Sequence, residues 1–113
     1  MVFYGYHGAI PAEQQLGQRW EVDVDLWLDL KEAGRVDELS ATVDYSRVYS
    51  LIKEVVEERH FRLAEALAEA IAGAILESQQ GRAGLEKVTV RVRKLQPPLA
   101  GMVGYAEVEI TRP

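Results

Sequence analysis

The stretch from Phe3 to Leu30, FYGYHGAIPAEQQLGQRWEVDVDLWLDL, decides how this 113-residue chain folds. Its second half alternates. Trp20, Val22, Val24, Leu26, Leu28 and Leu30 share one face; Glu21, Asp23, Asp25 and Asp29 fall on the other, with Trp27 as the apolar exception. A period of two sustained this long is a strand with one buried and one wet face. Before it, residues 2–10 form a shorter extended run carrying Phe3, Tyr4, Tyr6 and His7. Residues 11–19 between the two read as a loop, punctuated by Pro11 and Gly17, with Glu13 near its tip. The result is a hairpin that presents a carboxylate from a connection between rigid elements.

Outward from this hairpin the period changes. Residues 31–44, KEAGRVDELSATVD, have scattered charges and Gly34 but no clean period, and read as a connection with room for one helical turn. Then Val48, Leu51, Ile52, Val55 and Val56 recur at helical spacing opposite Lys53, Glu54, Glu57 and Glu58. Asp44 is placed to cap this helix, which should end near Arg59. After a break at His60–Phe61, a second helix carries an apolar stripe of Leu63, Leu67, Ala70, Ile71, Ala74 and Ile75. Residues 79–84, QQGRAG, read as a flexible turn. Residues 87–94 alternate again, with Val88, Val90 and Val92 inward and Thr89, Arg91 and Arg93 outward. Pro97 and Pro98 interrupt the ladder because proline has no N–H to donate. A last strand is expected from about Val103 to Thr111.

The order β-β-α-α-β-β predicts one α+β domain over residues 1–113: a four-stranded antiparallel sheet with two helices on one face. Such a sheet has unpaired outer edges, and Trp27 sits where solvent should be. Pairing those edges with other copies would close them into a β-barrel, so a homo-oligomer is expected.

Composition narrows the function. The chain has no cysteine, which removes thiolate chemistry and disulfides and fits a cytoplasmic location. A net charge of −5 argues against nucleic acid as a partner, and no apolar run reaches the length of a membrane span. His7 and His60 stand in no metal-ligand spacing; His7 reads as a hydrogen-bonded structural residue. There is no glycine-rich phosphate fingerprint and no nucleophile elbow. No metal or cofactor is expected. Four polar residues sit at ends of elements: Glu13, Tyr45, Glu65 and Lys94. Each alone has an ordinary reading, as a solvated or dipole-favoured carboxylate, a packing aromatic or a surface charge.

Together, FYGYHGAIPAEQQLGQRWEVDVDL, DELSATVDYSRVY, LAEALAEAIA and VRVRKLQPPLAGM resemble, in order, the successive motifs of the dihydroneopterin aldolases. The resemblance covers nearly the whole chain. It implies the tunnelling fold, assembled into tetrameric rings around a barrel and often stacked as octamers, with active sites between subunits. It also implies a role in folate biosynthesis. 7,8-Dihydroneopterin would undergo retro-aldol cleavage to 6-hydroxymethyl-7,8-dihydropterin and glycolaldehyde, often with epimerisation at C2′. Neither metal nor Schiff base is implied, because the dihydropterin's own C=N bond accepts the electrons. By position, Glu65 would bind the 2-amino-pyrimidinone edge, helped by backbone groups near Leu63 and Ala64. Thr42, Val43 and Asp44 of the adjacent subunit would complete the ring's hydrogen bonds. Lys94 would take part in proton transfer, Tyr45 from the neighbour would help protonate the intermediate, and Glu13 would lie near the side-chain hydroxyls.

Two positions depart from the family pattern: Met102 stands where a histidine usually follows PPIPG, and Gly104 where an aspartate is frequent. The competing functions are an epimerase of the same fold acting on dihydroneopterin triphosphate, and a pterin-binding barrel protein without catalysis. Arg19, Arg91 and Arg93 leave the first open; the presence of both Lys94 and Tyr45 speaks against the second. The short first strand also suggests a natural start upstream of Met1.

Overall fold

The computed structural model describes residues 1–80 and 84–113. The chain runs β1 (Val2–Gly5), α1 (Pro11–Leu16), β2 (Gln18–Leu28), α2 (Lys31–Val36), a 3₁₀ turn (Leu39–Ala41), α3 (Tyr45–Glu58), α4 (Ala64–Ser78), β3 (Leu85–Lys94) and β4 (Ala106–Arg112). The strands form one antiparallel sheet in the order β1-β2-β3-β4, as the alternation predicts. α4 lies across β3 and β4, and α3 packs on α4 and β1. Trp20 and Val22 of β2 and Val88, Val90 and Val92 of β3 meet Ile52 and Val56 of α3 and Leu67, Ile71 and Ile75 of α4, all fully buried or nearly so. Each such aliphatic side chain contributes about 1.5–3 kcal/mol by leaving water. Asp44 caps α3 by accepting from Ser46 N–H at 3.0 Å, and the hydrogen bonds from Ser46 hold its carboxyl below the usual range.

Several expectations need correction. Residues 11–16 are not loop but the helix α1, with Pro11 at its start and Glu13 in its first turn. Proline's fixed φ suits that first position, and Glu13 accepts from Ile10 N–H as a capping carboxylate does. The extended run over residues 2–10 is strand only to Gly5. β2 stops at Leu28, so Leu30 leaves the buried face and stands exposed at the start of α2. β4 begins at Ala106, not Val103. On α4, Ala68 and Ala72 are buried beside the predicted stripe while Leu63 precedes the helix and is exposed; small side chains there let the helix approach the sheet. Residues 81–83 of the predicted turn lie outside the described residues.

The wet face of the sheet is a cross-strand ion ladder. Arg93 reaches Glu21 at 2.9 Å, Asp23 at 2.6 Å and Glu107 at 2.8 Å. Arg91 reaches Asp25 at 2.9 Å and Glu109 at 3.2 Å. Trp27, also on this face, lies under the Lys87 ammonium, 4.4 Å from the ring centre.

His7 is fully buried and structural, as expected. Phe61 N–H donates to Nδ1 at 3.1 Å, so Nδ1 carries no proton and Nε2–H donates to the Val56 carbonyl at 2.8 Å. Burial lowers its pKa from 6.5, with the Val56 bond opposing and His60 adding to the shift. As pH falls through 6.5 the unfolded chain takes up a proton that the folded chain refuses, so stability is complete above that pH and is lost below it. Urea denaturation between pH 8 and 5 should show stability falling toward acid, with a shallower slope in His7→Gln. A flat or rising profile in the parent chain would contradict this.

Candidate active site

The site is built at one end of the sheet. Lys94 has the same parity on β3 as Val88, Val90 and Val92, so it continues the inward face to its rim. Its cross-strand partner is Trp20, and its ammonium stands 5.5 Å from that ring's centre. A charge on an apolar face needs a counter-charge, and α1 supplies it: Glu13 Oε2 lies 2.8 Å from Lys94 Nζ. The side chains are only 9% and 17% exposed for Glu13 and Lys94. Gln18, on the inward face of β2, donates from Nε2 to the same Glu13 oxygen at 3.1 Å.

Gly8 makes room for this carboxylate. Its φ is +150°, and a Cβ there would lie 2.5 Å from Glu13 Oε1. The Gly8 N–H in turn donates to the Phe61 carbonyl at 3.0 Å. Together with the bond from Phe61 to His7, this ties the segment before α1 to the segment before α4. Glu65 sits in the first turn of α4, after Leu63 in a helix start with no side-chain cap. The positive end of the helix favours a carboxylate there, and its first N–H groups are free to meet a ligand.

Between these parts lies a cleft of about 420 Å³ whose walls include Ile10, Glu13, Arg62, Leu63, Ala64, Glu65, Lys94, Pro97, Leu99 and Val108. Such a volume suits a small-molecule ligand. The structure thus gathers five of the residues singled out in sequence: Glu13, Leu63, Ala64, Glu65 and Lys94. It does not bring the other four to them. Thr42, Val43, Asp44 and Tyr45 border no part of this cleft. Thr42 and Val43 line a different cavity of about 540 Å³ beside Asp29 and Gln79, and Tyr45 at the start of α3 is 81% exposed.

Sequence reading missed two supports of the Glu13–Lys94 pair: Gln18 against Glu13 and Trp20 beside the Lys94 ammonium. Both were legible: stepping the period-two face of β2 back from Trp20 places polar Gln18 inward. Among the described residues, no group of three or more His, Cys, Asp and Glu stands together as a metal site would need.

Two hairpins, two helices on one face and a carboxylate–ammonium pair at the sheet's end are the features of a tunnelling-fold enzyme that works on a small molecule. The chain belongs to the dihydroneopterin aldolase family: the family model described as FolB, dihydroneopterin aldolase, matches residues 1–111. It is 43% identical over 112 residues to the dihydroneopterin aldolase of Bacillus subtilis, covering 99% of this chain and 91% of that one. Its fold superposes with a TM-score of 0.86 on the Escherichia coli dihydroneopterin aldolase solved with neopterin, at 21% identity and 99% and 92% coverage. The Burkholderia thailendensis dihydroneopterin aldolase solved with guanine matches with a TM-score of 0.74 at 27% identity, covering 99% of this chain and 84% of that one.

Proposed function

We propose that the chain catalyses the retro-aldol cleavage of 7,8-dihydroneopterin in folate biosynthesis, in the cytoplasm, as a homo-oligomer whose sites are completed by a neighbouring subunit. The single observation carrying this reading is the cleft that unites Glu13, Glu65 and Lys94 while Tyr45 stands exposed elsewhere on the same chain.

Glu65 grips the ring. A carboxylate accepts two parallel N–H bonds from a 2-amino-pyrimidinone edge, and guanine, held by the Burkholderia relative, presents that same edge. Backbone groups of Leu63 and Ala64 add to the grip; Thr42, Val43 and Asp44 of the neighbour complete it. At the other end, the Glu13–Lys94 pair faces the side-chain hydroxyls. The pair takes the proton from the C2′ hydroxyl. The C1′–C2′ bond breaks, its electrons enter the ring C=N, and glycolaldehyde leaves. Protonation at C1′, assisted by the neighbour's Tyr45, then gives 6-hydroxymethyl-7,8-dihydropterin. Because the ring is the electron sink, acid, base and positioning suffice, and neither metal nor cofactor is invoked. If instead the aldehyde turns over before leaving, the ring's electrons return through C1′ to the aldehyde's opposite face. The C1′–C2′ bond re-forms and the C2′ alkoxide takes back the proton, which epimerises C2′.

Incubation with 7,8-dihydroneopterin should release glycolaldehyde, unchanged by EDTA, and borohydride should trap no adduct on Lys94. Binding without cleavage would favour the non-catalytic barrel protein. Epimerisation confined to the triphosphorylated substrate would favour the epimerase. Of the arginines that leave that rival open in sequence, Arg91 and Arg93 are each committed to carboxylates on the wet face. Arg19 borders no part of the cleft, while Arg62 does line it, so the assay on both substrates decides.

Glu65→Gln replaces one acceptor oxygen by a donor facing the ring's own donors. It should cost about 2–4 kcal/mol of pterin affinity, read by titration with a non-cleavable pterin. Undiminished affinity would move the grip to another residue.

A further inference from the structure

Gln18 is the one buried polar residue at the site with no assigned part. It is 7% exposed, and its Nε2 donates to Glu13 Oε2, the oxygen that also meets Lys94 Nζ. A carboxylate only accepts, so the amide's orientation is set: its NH₂ faces Glu13 and its carbonyl points away. That carbonyl oxygen is buried and, among the described residues, has no hydrogen-bond partner. An amide buried with one end unpaired destabilises a fold, and an apolar side chain of similar size would fill the position at less cost. Among the described residues the side chain's one hydrogen bond is the one to Glu13.

What the amide does is hold a carboxylate. The other contact from the chain around Glu13 is the long 3.4 Å bond from Ile10 N–H to Oε1. Without Gln18 the carboxylate would be kept in place chiefly by Lys94, the group with which it must exchange a proton. We infer that Gln18 is a positioning residue, fixing the Glu13 carboxylate at the distance from Lys94 that proton transfer requires; this rests on the reading of Glu13 and Lys94 given above.

The test is a double-mutant cycle on the full-length protein with 7,8-dihydroneopterin as substrate. Gln18→Leu should lower kcat by about 10–100-fold, the scale of a misplacement near 1 Å, while the dissociation constant of a non-cleavable pterin stays within about twofold, because the ring grip lies at Glu65. Added to Glu13→Ala, it should cost nothing further, since a residue acting through Glu13 has nothing left to position. Unchanged kcat in Gln18→Leu, or a full additional loss in the Glu13→Ala background, overturns the inference. Wild-type kcat in Glu13→Ala alone would instead remove the underlying reading, so the two failures are distinguishable. If Gln18→Leu does not fold, Gln18→Glu keeps the shape and sets two carboxylates side by side. They would share a proton, moving the acid limb of the kcat–pH profile upward by about one unit or more; an unmoved limb overturns the inference.

Discussion

The Lys94→Ala variant is expected to lose about 10²–10⁴ in kcat, the range that a positioned proton-transfer group supplies. If Glu65 holds the ring as proposed, the loss should not be restored by raising substrate. The same change should also lower stability. Glu13 would be left 9% exposed with its nearest counter-charge gone, and breaking such a pair costs about 3 kcal/mol. Removing both charges avoids the stranded carboxylate, so Glu13→Gln combined with Lys94→Met should recover much of the stability and none of the activity. Melting curves and single-turnover rates on the three proteins separate the two effects. A Lys94→Ala protein with kcat within tenfold of the parent would take the lysine out of the chemistry.

Tyr45→Phe is expected to lose activity as well, but without the loss of stability. Tyr45 is 81% exposed on the chain, and its hydroxyl is absent from the hydrogen bonds of the described residues, so deleting one oxygen should shift stability by less than about 0.5 kcal/mol. If the neighbour's Tyr45 assists protonation of the intermediate, the same deletion should lower product formation by about 10²-fold or more. A surface residue with a large catalytic effect and none on melting is what a site shared between chains produces. A Tyr45→Phe enzyme that turns over normally would leave the residue as an ordinary exposed aromatic.

How far the sequence carried the fold depended on the period of each segment. The alternation of β2 and β3 and the helical spacing of α3 are long, so a few deviating residues did not obscure them. Short elements were less readable. Over α1 the helix has only six residues, too few for periodicity, and its signal lies in local chemistry: proline first, then glutamate two residues on. Glu13 thus looked like a loop carboxylate reaching solvent, whereas α1 turns it inward onto Lys94. Lys94 itself was legible only as the end of a strand; its parity with Val92 shows that it faces the core. The division of the predicted residues between a cleft and a distant helix start is not readable from spacing at all, since it depends on where α3 begins relative to the sheet's end.

The most direct measurement uses that division. Lys94→Ala and Tyr45→Phe chains, each nearly inactive alone, are unfolded together, reassembled in equal amounts and checked for mixed oligomers. In a ring where each site takes Lys94 from one chain and Tyr45 from its neighbour, about one site in four regains both residues. Glycolaldehyde release from 7,8-dihydroneopterin should then recover to roughly a quarter of the parent rate per site. Verified mixed oligomers that remain as inactive as the separate variants would contradict a site built across two subunits.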